Sequence, residues 1–132
     1  MKKSGTLNPL LSRLIALMGH TDLLVICDSG LPIPRGAEVV DLSLTRNIPR
    51  FIDTVRVILE ELEVEKGIIA GEMVGTEVHG GLLRILKGLP LDVVPHENFK
   101  KLTMSGGNIA FVRTGEATPY ANVILVGGVN FD

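Results

Sequence analysis

Residues 19–34, GHTDLLVICDSGLPIP, decide the fold. Leu23 to Cys27 is an uninterrupted apolar run closed on both sides by turn formers, Asp22 before it and Asp28-Ser29-Gly30 after it. A run this short with no polar alternation reads as a strand buried on both faces, the kind found in largely parallel sheets covered by helices. Pro32 and Pro34 forbid regular structure directly afterwards. Upstream, Asn8-Pro9 is a helix start: the Asn side chain accepts from free backbone N–H groups, and Pro gives up a donor that would be unpaired anyway. Leu10, Leu11, Leu14, Ile15, Leu17 and Met18 follow at helical spacing, predicting a helix over residues 9–18 with Gly19 as its C-terminal cap.

Downstream the alternation of strand and helix continues. Strands are expected over residues 38–42, 67–70, 91–94, 108–113 and 121–126. Helices are expected from Pro49 with an apolar face of Phe51, Val55, Ile58, Leu59 and Leu62, over residues 76–87, and over residues 97–103. Gly80-Gly81 weakens the second of these, since each glycine costs about 1 kcal/mol relative to alanine. The pattern predicts a single three-layer α/β/α domain with a largely parallel central sheet, the last two strands forming a candidate antiparallel pair across the turn at residues 116–119. In open parallel sheets ligands gather at the C-terminal ends of strands, and Asp28, Glu72 and His96 all fall at or just past such ends.

The 132-residue chain carries 13 basic and 15 acidic residues in no long run of either sign, which argues against a nucleic-acid groove or an acidic membrane surface as partner. Apolar residues make up 45% and mean hydropathy is +0.35, yet no stretch has the length to span a bilayer. So apolar a composition in so small a domain favours burial against copies of itself. The N-terminus lacks the apolar core of a secretory signal, and a cytoplasmic protein is expected. A lone cysteine, Cys27, leaves neither an internal disulfide nor a multi-cysteine metal cage. Within the apolar run it reads as packing.

There is no phosphate-binding loop, dinucleotide fingerprint or HExxH motif, and Gly106-Gly107 and Gly127-Gly128 are too short to cradle a phosphate. His20 follows a helix C-terminus, where an imidazolium would interact favourably with the helix dipole. Asp28 suits either the N–H groups of its own turn or the hydroxyls of a ligand. His96 could cap the next short helix or face a ligand, with Lys100 one turn on along the same face. Between the last two strands, RTGEATPYAN (residues 113–122) is dense in hydrogen-bonding groups. Tyr120 and Asn122 share one side of an extended chain and could clamp one ligand. Arg113 and Glu116 read as a turn salt bridge. The set His, Asp, Lys, Tyr and Asn suits binding of and proton transfer on a polyhydroxylated small molecule, as an isomerase, a hydrolase or a binder.

Five blocks, MKKSGTLNPLLSRLIALMGHTD, ICDSGLPIP, VDLSL, HENFK and RTGEATPYANVIL, together resemble the D-ribose pyranase family, relatives of the L-fucose mutarotases. They are spread along the chain from residue 1 to residue 125. The SGLPIP loop favours the ribose type. The resemblance implies a cytoplasmic enzyme that interconverts the pyranose and furanose forms of D-ribose for a ribokinase, without metal or other cofactor. It puts the acid/base histidine at His20 and substrate-binding groups at Asp28, His96, Lys100, Tyr120 and Asn122. It also implies a ring-shaped homo-oligomer, typically a decamer of two stacked pentamers, with sites where subunits meet. A non-catalytic ribose-binding accessory of an uptake system would use the same pocket. Cys27 stands where a smaller residue such as alanine is usual, and residues 71–90 match poorly, so no role passes to Glu72 or His79.

His20 and Asp28 flank a strand that rises about 3.3 Å per residue, which puts them on the order of 20 Å apart. If both serve one site, as the resemblance implies, His20 of one subunit is expected to meet Asp28 of a neighbour.

Overall fold

The computed structural model describes residues 1–131. Its elements in chain order are α1 (Pro9–Leu17), β1 (Leu23–Cys27), β2 (Glu38–Asp41), α2 (Phe51–Leu59), β3 (Val64–Ala70), a 3-10 turn (Gly71–Met73), α3 (Glu77–Leu86), β4 (Leu91–Val94), α4 (His96–Thr103), β5 (Ile109–Arg113) and β6 (Val123–Gly127). One six-stranded sheet runs β2-β5-β1-β6-β3-β4. β1 is parallel to β5, β5 to β2, and β3 to β4, whereas β6 is antiparallel to both β1 and β3. Five strands therefore end on one edge of the sheet, and β6 begins there.

The register explains why the run 23–27 carries no polar residue. Leu24 and Ile26 of β1 sit beside Ala110 and Val112 of β5 and Leu125 and Val123 of β6. This side packs under Leu11, Leu14 and Ile15 of α1, Phe51, Val55 and Ile58 of α2, and Leu82 and Leu86 of α3. Val25 and Cys27 face the other way, with Phe111 and Ile124, and are covered by Phe99 of α4 and Leu31 of the loop after β1. A central strand with helices on one face and a helix and loop on the other has no polar position to offer. The edge strands do: β2 buries only Val40.

The helix starts follow the sequence. Asn8 Oδ1 accepts from Leu11 N–H at 2.9 Å with Pro9 at the first position, a cap contributing about 1 kcal/mol. Thr76 does the same for α3, accepting from His79 N–H at 3.2 Å. Gly81 survives inside α3 because a Cβ there would press on Ile52 Cδ1 at 3.3 Å; the helices approach at that point.

Two expectations are corrected. Gly19 is no left-handed cap: α1 ends at Met18 in extended backbone, and the left-handed residue of this turn is Thr21, at φ 70°. The last two strands do not pair with each other, because β1 lies between them; β6 finds antiparallel partners in β1 and β3 instead. Among the described residues no helix is long and apolar enough to cross a membrane.

Candidate functional site

The edge where β1, β3, β4 and β5 end carries a cleft of about 410 Å³, a volume that suits a small molecule. Asp28 comes from the end of β1, His96 and Lys100 from α4 directly after β4, Glu116 from the loop after β5, and Tyr120 and Asn122 from the approach to β6. Five of the six residues singled out in the sequence thus line one cavity.

Each is held by local chemistry. Asp28 turns the chain: its Oδ1 accepts from Gly30 N–H at 3.0 Å and Leu31 N–H at 2.8 Å, and the residue also lines the cleft. Asn122, 2% exposed, accepts from Asp28 N–H at 2.8 Å through Oδ1, tying β6 to β1 and leaving its Nδ2 as a donor. Tyr120 sits at φ 64°, a left-handed conformation uncommon for a bulky residue and a cost the surrounding loop must offset. The Tyr120–Asn122 segment is therefore not extended, and it is this bend that brings both side chains to one cavity. The Tyr120 ring meets His96 edge-on with centroids 4.9 Å apart, and His96 stacks over Phe99 at 6.3 Å. Two aromatic neighbours fix the imidazole plane, and among the described residues its buried Nδ1 has no hydrogen-bond partner. Lys100 Nζ lies 3.3 Å from Glu97 Oε1.

His96 does not cap its helix with its own side chain. The free N–H of residue 96 donates to Glu72 Oε1 at 3.1 Å, so the carboxylate after β3 anchors the start of α4. His79 is unrelated to the cleft; its Nδ1 accepts from Gly75 N–H at 3.2 Å.

Glu116 is the residue that sequence reasoning missed. It forms no bridge with Arg113, which instead pairs with Asp41 at 3.0 Å. Glu116 is 2% exposed and accepts from Arg50 Nε at 3.1 Å, Arg50 Nη2 at 3.0 Å, Phe51 N–H at 3.0 Å and Thr118 Oγ1 at 2.8 Å. Burial pushes its carboxyl up, but the hydrogen bonds from Arg50, Phe51 and Thr118 prevail and hold it below the ordinary glutamate value. One carboxylate so satisfied fixes both the start of α2 and the loop 114–118 that walls the cleft. The only signal in the sequence was an acidic residue amid apolar and hydroxyl-bearing neighbours.

Cys27, fully buried behind Asp28, is pushed up to about 12 by desolvation and then by the Asp28 charge, which keeps the thiol protonated and chemically inert.

His20 lies elsewhere. It precedes β1, and so stands on the opposite edge of the sheet, in a second cavity of about 510 Å³ shared with residues 59–63 and the chain's end at residues 127–131. Its Nε2 is 3.1 Å from Glu65 Oε2. As the intervening strand leads one to expect, within one chain His20 and Asp28 do not share a cavity.

The chain matches the profile of the RbsD / FucU transport protein family over residues 1–130. It is 55% identical over 133 residues to a D-ribose pyranase of Coprothermobacter proteolyticus, covering 99% of this chain and 100% of that protein. A D-ribose pyranase of Kosmotoga olearia is 47% identical with the same coverage. Bacillus subtilis RbsD complexed with D-ribose superposes with a TM-score of 0.91 at 44% identity, covering 99% of this chain and 100% of that one. The fucose mutarotase of Streptococcus pneumoniae in complex with L-fucose superposes at 0.81 with 22% identity, a likeness of fold alone. With sequence and fold matched from end to end, the chain belongs to the RbsD / FucU transport protein family.

Proposed function

We propose that this chain has D-ribose pyranase activity, interconverting the pyranose and furanose forms of D-ribose in the cytoplasm and so supplying ribofuranose to a ribokinase. The observation that carries the reading is the cleft at the strand ends, where Asp28, His96, Lys100, Tyr120 and Asn122 offer both acceptors and donors in one small cavity. A pentose presents hydroxyls on every side, and such a mixed set can pair with them. The relatives named D-ribose pyranase, aligned over the full chain, support the same substrate.

The reaction is proton bookkeeping on one molecule. The anomeric hydroxyl loses a proton as the bond from the anomeric carbon to the ring oxygen breaks and the ring oxygen gains a proton, giving the open aldehyde. A different hydroxyl then adds to the carbonyl and its proton returns to the new anomeric oxygen. General acid–base catalysis suffices, and an imidazole can both accept and donate a proton. His20 takes this part, while Asp28, His96, Lys100, Tyr120 and Asn122 hold the hydroxyls and fix the open chain for reclosure. Because His20 and the cleft occupy opposite sheet edges of one chain, a complete site needs His20 from a neighbouring copy. A ring-shaped homo-oligomer, a decamer of two pentamers by family resemblance, meets that need.

The test is exchange between ribopyranose and ribofuranose signals, read by saturation-transfer NMR with catalytic amounts of protein. Wild type is expected to accelerate it. His20→Ala is expected to lose about 100-fold or more, in line with one acid/base group, while the oligomer persists. Asp28→Asn keeps an oxygen for the turn but removes the charge, and is expected to weaken ribose binding. Ribose binding without any acceleration would instead mark a non-catalytic accessory of uptake.

A further inference from the structure

The turn that carries His20 is built as firmly as the cleft. Gly19 N–H donates to Asp22 Oδ2 at 2.7 Å, Thr21 N–H to the Gly127 carbonyl at 2.9 Å, and Gly127 N–H to the Asp22 carbonyl at 2.8 Å. Gly127 has no room for a side chain, since a Cβ there would lie 2.5 Å from the Gly19 carbonyl oxygen. Thr21 holds a left-handed φ of 70°, an unfavourable backbone for a β-branched residue. The backbone on either side of His20 is thus fixed against the end of β6.

The ring is fixed by a second, independent device. β3 and β6 pair Val64 with Gly127 and Lys66 with Val126, so Glu65 is an extra residue in β3, a bulge. Counting back by twos from Ile69 in the helix-side core would put Glu65 inside and Val64 outside. The bulge resets the alternation: Val64 is buried at 6% exposure and Glu65 is turned out, its Oε2 3.1 Å from His20 Nε2. Bulges commonly re-aim one side chain in this way. Asp22 is bound to Gly19 N–H and Glu61 to Thr6 N–H and Lys2; Glu60 and Glu63 also line this cavity, but among the described residues Glu65 alone lies within hydrogen-bond reach of His20 Nε2.

We propose that Glu65 is a positioning residue for His20, accepting Nε2–H so that the imidazole keeps one tautomer and one plane and Nδ1 is the atom that exchanges protons with the sugar. This rests on the reading of His20 as the proton-transfer group. An imidazole free to rotate and to populate both tautomers would meet the anomeric hydroxyl correctly only part of the time. The cost is expected on turnover rather than on binding, because Glu65 lines no part of its own chain's cleft and reaches a neighbour's site only through His20.

The experiment reads ring-nitrogen tautomers by long-range ¹H–¹⁵N NMR alongside exchange kinetics. Wild type is expected to show His20 as the Nε2–H tautomer. Glu65→Ala should mix the tautomers and lower kcat about tenfold with KM unchanged. Glu65→Gln, which keeps an acceptor oxygen, should recover most of that loss. An Nδ1–H tautomer in wild type, a measurement that needs no variant, overturns the proposal. So does Glu65→Ala turning over like wild type while His20→Ala is inactive. An active His20→Ala would instead sink the reading beneath it.

Discussion

A carboxylate with 2% exposure is stable only when its hydrogen bonds replace the water it has lost, and Glu116 does this with a guanidinium, a backbone N–H and a hydroxyl. Removing the charge while keeping the shape, Glu116→Gln, is expected to destabilise the fold by about 1–3 kcal/mol at neutral pH. The carboxyl is held lower in the folded chain than in the unfolded one, so its contribution is present in full above the unfolded value and is lost as pH falls through the folded one. The gap between wild type and Glu116→Gln should therefore close in acid, below the ordinary glutamate value of 4.5. Urea unfolding at neutral and acid pH checks this; a gap that stays constant, or widens in acid, contradicts it. The role was not legible in the sequence because the partner Arg50 lies 66 positions away, whereas a reading of RTGEATPY alone pairs Glu116 with its neighbour Arg113. The pairing of His20 with Glu65, 45 positions apart, was hidden for the same reason. The lining residues Asp28, His96, Lys100, Tyr120 and Asn122 were legible because each sits in a short motif that resembles a family pattern.

Local signals read correctly at Asn8-Pro9, which caps the helix it precedes, and in the apolar run 23–27, the doubly buried strand its composition demands, though not at Gly19. What fails is partner choice: nothing in residues 108–127 says that β1 will insert between β5 and β6. Glycines in α3 give a prediction at this scale. A Cβ at Gly80 would meet only Arg84 Nη1 at 3.8 Å, so Gly80→Ala should gain helix propensity of about 0.5–1 kcal/mol and raise the thermal midpoint by a few degrees. Gly115 is the opposite case. Its backbone receives Asn47 N–H at 2.6 Å, and a Cβ there would fall onto the carbonyl oxygens of Thr45 and Ile48, so Gly115→Ala should lower the midpoint. Thermal unfolding of both separates helix propensity from close packing; a Gly80→Ala that melts below wild type would mean that α3 needs the bare backbone.

For the whole molecule, the direction of the strands sets the design. Five strands end at the edge that carries the cleft, and the turn before β1 places His20 at the other. A chain with this topology brings its proposed ligand-holding groups together while its proposed acid/base group stays on the far side of the sheet. If His20 serves that cleft, as proposed, catalysis depends on assembly and each copy contributes to two sites. The exposed Leu10 and Leu17 on the outer face of α1 are the kind of apolar surface that copies of a chain cover. The direct test mixes two impaired variants, His20→Ala and Asp28→Asn, dissociates and reassembles them together, and follows ribopyranose–ribofuranose exchange below saturating ribose. If sites are shared, an intact His20 meets an intact Asp28 in roughly a quarter of them on random mixing, and that fraction of wild-type activity returns. If activity stays at the mean of the two parents, His20 and Asp28 do not meet across a subunit boundary and the shared site is wrong.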